Sequence, residues 1–272
     1  MKSLKKYLRN REVAINYILA KPRAEYSIST FHKLRVEIKK LNALFDLINY
    51  CSKDFKHKKK FKPFKEIFRQ AGKVRELHLE DLMLNKYYSI KSLKDYRNSL
   101  KNLRLQEQEI FFSMINKHFV DILKKKYKII IPLVSKINKK EANSYIEKKR
   151  NSIRKLLSKS SLKTQDVHEL RKQIKLLSFN KKSLSLKEKN NPDSNQELLT
   201  NLLGKWHDCQ VIINHLNKTT DTGNLNPKEI SRITKLKTKI FTGSELLFNK
   251  IKLVIPLSEF YKKKKIANSF QH

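Results

Sequence analysis

The sequence predicts an all-α protein made of two similar helical units in tandem. Three observations lead there: few residues that build turns, many that tolerate helix, and an internal repeat. Only four glycines and six prolines occur in 272 residues, too few for the turns of a sandwich or barrel. Leucine, lysine, isoleucine, glutamate and arginine are abundant, and all tolerate helix. A hydrophobic content of 39% allows sizeable buried cores in a chain of this length.

Taken in order, apolar periodicity and capping residues predict eight helices, at about 2–20, 30–50, 62–86, 92–125, 138–159, 164–184, 194–217 and 227–250. In the second, Phe31, Leu34, Ile38, Leu41, Phe45 and Ile48 recur at three-four spacing and form a seam to bury. The third contains Gly72, and the seventh contains Gly204. The sixth starts at Thr164 ahead of Asp166 and carries its own seam of Val167, Leu170, Ile174 and Leu177. Ser194 with Glu197 reads as a capping box for the seventh, and Asn226 followed by Pro227 and Glu229 opens the eighth. Lys126 to Asn138 reads as the boundary between halves, and Ser183 to Asp193 as a polar, mobile stretch. The tail from Tyr261 to His272, with four consecutive lysines, is expected to be loosely ordered.

The repeat shows in three pairs of segments. Phe31 to Lys39 matches Val167 to Lys175 with five identities, displaced by 136 positions (His32 against His168). Gly72-Lys73-Val74-Arg75-Glu76 matches Gly204-Lys205-Trp206-His207-Asp208 at a displacement of 132, and Lys128 to Leu133 matches Lys252 to Leu257 at 124. Their order is the same in both halves, so a duplicated four-helix unit is expected. One bundle covers 1–130, a second 131–260, and a basic tail 261–272.

Lysine and arginine number 62 against 25 aspartates and glutamates, a formal excess of +37. That excess opposes compaction unless many charges face solvent or a bound anion, which points to a negatively charged partner. Cys51 and Cys209 are the only cysteines, so neither a disulfide scaffold nor a four-thiolate zinc site can be built. The first twenty-one residues are interrupted by Lys5, Lys6, Arg9, Arg11 and Glu12, unlike an export signal. The run Ile129-Ile130-Ile131-Pro132-Leu133-Val134 is too short to span a bilayer. A soluble protein of the cytoplasm is expected.

The chemistry concentrates beside the two seams. His32, Arg35 and Lys39 each follow a seam position, as do His168, Arg171 and Lys175, so each set forms a second stripe about 100° round its helix. A solvated flank accepts lysine and arginine interchangeably. The same three residue types at the same offsets in both halves therefore imply a shared geometric task. Arginine offers a planar fork to an oxyanion, lysine a mobile point charge, and imidazole a further N–H donor. A metal site fits poorly, because each histidine sits among cations with no carboxylate or thiolate at helix spacing. Neither a metal nor another cofactor is expected.

Gly72 and Gly204 fall inside predicted helices, where glycine costs about 1 kcal/mol relative to alanine. Close helix crossing is the first explanation, and backbone access for a ligand the alternative. Arg75 and His207, three residues on, add to the anion surface, while Glu76 and Asp208 are expected to hold a neighbouring basic group in place.

The paired His-x-x-Arg-x-x-x-Lys helices, each followed by a Gly-x-x-(Arg/His)-acid segment, resemble the conserved histidine α-helical domain, CHAD. The resemblance covers most of the chain. It implies two four-helix bundles related by pseudo-twofold symmetry, binding inorganic polyphosphate on a basic groove or pore. By that resemblance His32, Arg35, Lys39 and Lys40 in the first half, with His168, Arg171 and Lys175 in the second, are polyphosphate-binding residues. Departures are Asn42 and Ser178, where the family often carries another basic residue, and Leu176, which stands opposite Lys40. Association with polyphosphate granules would follow from such binding.

Other classes fit less well. Nonspecific nucleic-acid binding suits the charge, but Trp206 and most other aromatics lie at seam positions and leave no stacking platform. An enzyme of phosphoryl transfer would need a phosphate-binding loop or paired carboxylates for magnesium, and neither motif occurs. A non-catalytic binding module is the expected class.

Overall fold

In a computed structural model, residues 2–186, 194–220, 225–258 and 260 are described. All regular structure among them is helical. Nine α-helices follow one another: α1 (Lys2–Leu19), α2 (Ile28–Cys51), α3 (His57–Tyr87), α4 (Lys94–Met114), α5 (Lys117–Lys136), α6 (Lys139–Leu157), α7 (Thr164–Ser183), α8 (Ser194–Thr220) and α9 (Pro227–Val254). Short 3-10 turns occupy Arg23–Glu25, Ile90–Leu93 and Ile255–Leu257. The predicted basic tail at 261–272, and 187–193 of the predicted polar stretch, lie outside the described residues.

The single helix expected over 92–125 is two helices. Ile115 leaves helical geometry at φ −90°, ψ 77°, and Asn116 restarts the chain by accepting a hydrogen bond from Phe119 N–H at 2.8 Å. α5 then covers 126–136 of the expected 126–138 boundary, with Pro132 inside it. Proline there removes an internal hydrogen bond. Against that, Leu123, Tyr127, Ile130 and Val134 are buried at helical spacing along one face, and this burial outweighs local propensity.

Several helix starts are built as their sequences indicate. Ser27 caps α2 through Thr30 N–H, and Asn226 caps α9 through Lys228 N–H with Pro227 in the first turn. Asn138 and Glu141 form a reciprocal capping box at α6: each side chain accepts from the other's backbone N–H, at 2.8 and 3.2 Å.

The chain divides into two compact units, residues 2–146 with 178–186, and residues 147–177 with the described residues beyond 193. This partition differs from the 130/131 division that the repeat suggested. In the first unit α2 packs against α1 and α3, α3 against α4 and α5, and α1 against α5. Phe31, Leu34, Ile38, Leu41, Phe45 and Ile48 are all buried, so the predicted seam of α2 is core. Rings extend it: Phe45 meets Phe55, Phe61 and Phe64, and Phe31 meets Tyr26 and Phe111, with centroids 4.8–5.9 Å apart. A buried polar link completes it, Asn180 donating to Ala43 O and to Tyr145 Oη, which donates to Asp46 at 2.7 Å.

In the second unit α8 packs against α9. Val167, Leu170, Ile174 and Leu177 are buried as the sequence predicts, together with Leu203, Trp206, Ile233, Leu236 and Ile240. With both seams committed to cores, the adjacent stripes are left at the edges of the packed faces.

Candidate functional site

In the first unit the stripe on α2 meets α3. Arg35 reaches across, and its Nη1 donates to the carbonyl oxygen of Phe68 at 2.9 Å. Its guanidinium carbon lies 4.2 Å from the centroid of the Phe68 ring, and the Lys39 ammonium lies 5.6 Å from the same centroid. A carbonyl and a ring face are neutral supports. They orient the guanidinium on α3.

The same placement accounts for Gly72, one helical turn after Phe68. A Cβ at this position would overlap Arg35 Nη1 and stand 2.9 Å from its Cζ. The close approach at Gly72 is that of the Arg35 side chain, not of another helix backbone, so a Cβ here would displace the guanidinium from its place. A turn further on, Arg75 Nε donates to Nδ1 of His32 at 3.0 Å. That bond needs a lone pair on Nδ1, which places the imidazole proton on Nε2. His32, Arg35, Lys39 and Arg75 thus form one patch.

Lys40 is held elsewhere. Its ammonium is 2.7 Å from one oxygen of Glu37, while Arg11 takes the other oxygen at 2.9 Å. The structure therefore brings Lys40 to a carboxylate on a different flank of α2 from the patch.

In the second unit His168 on α7 packs against α8, its ring centroid 4.6 Å from Trp206 and 5.4 Å from His207, the latter edge-on at 86°. Trp206 is itself buried against Phe248 of α9, at 6.2 Å. Burial, then the charges of Arg171 and Lys172, hold the His168 pKa below its ordinary value. Burial lowers that of Arg171, and Asp208 opposes the effect. Lys175 is lowered by burial and then by Arg171, again with Asp208 opposing. His168, Arg171, Lys175 and Asp208 are therefore electrostatic neighbours, and Arg171 Nε is buried without a hydrogen-bond partner. Partly desolvated cations beside one another gain when an anion arrives.

The halves differ around the glycine. No atom lies within 4 Å of a Cβ built on Gly204, so Arg171 does not cover this glycine as Arg35 covers Gly72. Where Phe68 supports Arg35, the corresponding position is Thr200, whose hydroxyl bonds its own helix at Gln196 O.

Sequence reasoning missed Phe68 as the shelf for Arg35 and Lys39. The signal was its position four residues before Gly72, on the same face of α3. It placed Trp206 in the seam but missed that the indole also carries His168. Among the described residues no group of three or more His, Cys, Asp and Glu side chains could hold a metal ion, and no helix is long and apolar enough to cross a membrane.

No protein-family model matches the sequence, and no curated protein matches it. Its fold is shared with solved structures. A CHAD domain from the plant Ricinus communis superposes with a TM-score of 0.76 over 93% of this chain and 90% of that one, at 9% identity. PptA from Streptomyces chartreusis superposes with a TM-score of 0.70 over 94% of this chain and 99% of that one, at 12% identity.

Proposed function

From the premise that this chain has the fold of a CHAD domain, we propose that it binds inorganic polyphosphate without chemistry of its own. His32, Arg35, Lys39 and Arg75 in the first unit, and His168, Arg171, Lys175 and His207 in the second, are the contacts. The observation that carries this reading is Arg35 fixed on the Phe68 carbonyl and ring, with Lys39 beside it. A preorganised guanidinium loses little freedom on meeting a phosphate, which raises affinity.

Polyphosphate carries negative charge on every unit and has no bases to read. Many modest contacts add by avidity along one chain. Affinity should fall steeply with salt, as cations condensed on the polymer are released. A cytoplasmic protein with this property would gather on polyphosphate granules. Calorimetric titration with long-chain polyphosphate at several salt concentrations tests the reading; absence of saturable binding at low salt overturns it.

Nonspecific nucleic-acid binding is the second reading, favoured by the +37 formal charge. Competition between polyphosphate and single-stranded DNA at equal charge separates the two, with polyphosphate expected to win. Incubation of labelled polyphosphate with the protein and Mg²⁺ tests the non-catalytic assignment, for which no turnover is expected.

A further inference from the structure

The first unit holds a second cluster of cations that the patch around Arg35 does not use. Between the C-terminal half of α3 and the N-terminal half of α4 lies a cleft of about 250 Å³. Arg97, Lys101 and Arg104 of α4 face it, with Asp81 and Asn85 of α3. This is smaller than the roughly 300–1,000 Å³ pockets that take drug-sized ligands, and it suits a compact anion.

The cleft is organised rather than loosely charged. Arg97 donates to Asn85 Oδ1 at 2.6 Å, to Tyr88 O at 3.3 Å and to Asp81 at 3.3 Å, which fixes its plane. Its side chain is only 11% exposed, and its Nε is buried with no hydrogen-bond partner. Arg104 stands 3.9 Å from the other oxygen of Asp81, a loose contact. Three cationic side chains thus face one carboxylate, which leaves the cleft positive. Asp81 sets the spacing of the two guanidinium groups.

The cleft also communicates with the first patch along α3. His78 has burial, Arg104 and Arg75 lowering its pKa against Asp81, so it is an electrostatic neighbour of both clusters, and its Nδ1 is buried without a hydrogen-bond partner. Arg75 in turn bonds His32. A line of basic side chains therefore runs from His32 through Arg75 and His78 to Arg104 and Arg97.

We propose that the α3–α4 cleft is a subsite for a terminal phosphate, in which Arg97, Lys101 and Arg104 grip the end of a phosphate chain whose following units pass Arg75 toward His32. The ligand class rests on the polyphosphate reading above. A chain end suits the cleft because a terminal phosphate carries a second ionisation near pH 6 that internal units lack, and a pair of guanidinium forks rewards the extra charge.

The test compares tripolyphosphate, which has two ends, with cyclic trimetaphosphate, which has the same phosphorus count and none. His78 is followed by NMR in the full chain, its resonance assigned with His78→Gln. Tripolyphosphate should raise the His78 pKa by about one unit, the size of shift a nearby opposite charge gives, and should bind about tenfold more tightly than the ring. Arg97→Gln with Arg104→Gln should remove that preference. Should this pair fail to fold, Lys101→Glu at an exposed position should reduce it. Equal affinity for both phosphates with an unmoved His78, in a protein that does bind long polyphosphate, overturns the subsite alone. A His78 response to tripolyphosphate in a protein that binds no long chain overturns the wider reading and supports the cleft as a site for free short phosphates.

Discussion

The guanidinium of Arg35 lies over Gly72, so that the side chain on α2 occupies the space a Cβ on α3 would need. Gly72→Ala should therefore move Arg35 off the Phe68 carbonyl while leaving the helices intact. The gain in helix propensity, about 1 kcal/mol, roughly offsets the lost hydrogen bond, about 1 kcal/mol. Thermal unfolding should be nearly unchanged and polyphosphate affinity should drop about tenfold, the worth of roughly 1.4 kcal/mol of contact. Gly204→Ala, with open space around it, should raise stability by up to about 1 kcal/mol and leave affinity alone.

Phe68→Leu keeps every charge but removes the ring beneath Arg35 and Lys39. Affinity measured by calorimetry should fall severalfold, because the two cations lose a shared support worth about 0.5–1 kcal/mol for each at exposed sites. An unchanged affinity would mean that Phe68 only packs.

Lys39→Ala and Lys40→Ala should differ. Lys40 serves Glu37, so its loss should change affinity less than twofold, whereas loss of Lys39 should weaken binding severalfold. Equal effects would return Lys40 to the site.

The pKa of His168 is lowered by burial and by Arg171 and Lys172. Below its unfolded value of about 6.5, the unfolded chain binds this proton more readily than the folded one. The stability contribution is therefore complete above that pH and is lost as pH falls through the lowered folded value. His168→Asn should flatten this part of the profile of melting temperature against pH. A bound phosphate chain favours the charged ring, so polyphosphate should raise the His168 pKa, and affinity should increase as pH falls toward the lowered folded value.

Much of this was legible in the sequence because it depends on period. Burial of Phe31, Leu34 and Ile38, and of Val167, Leu170 and Ile174, follows from three-four spacing, and the adjacent stripes follow from the geometry of a helix. What spacing does not contain is contact across helices. The continuation of helix through Pro132 goes with burial of the Leu123, Tyr127 and Ile130 face, and the chain restarts after Ile115 on the Asn116 cap. The company of Arg35 with Phe68 and Gly72 depends on how α2 crosses α3. Lys40 and Glu37 stand three residues apart, a spacing the sequence displays, but the addition of Arg11 from α1 is what commits that lysine to a structural triad.

A crystal structure of the protein with a short linear polyphosphate addresses the central claim most directly. Phosphate oxygens are expected within hydrogen-bonding distance of Arg35 and of Arg171, with Lys39 and Lys175 alongside. Phosphate bound only at other surface lysines, with both arginines untouched, would contradict it.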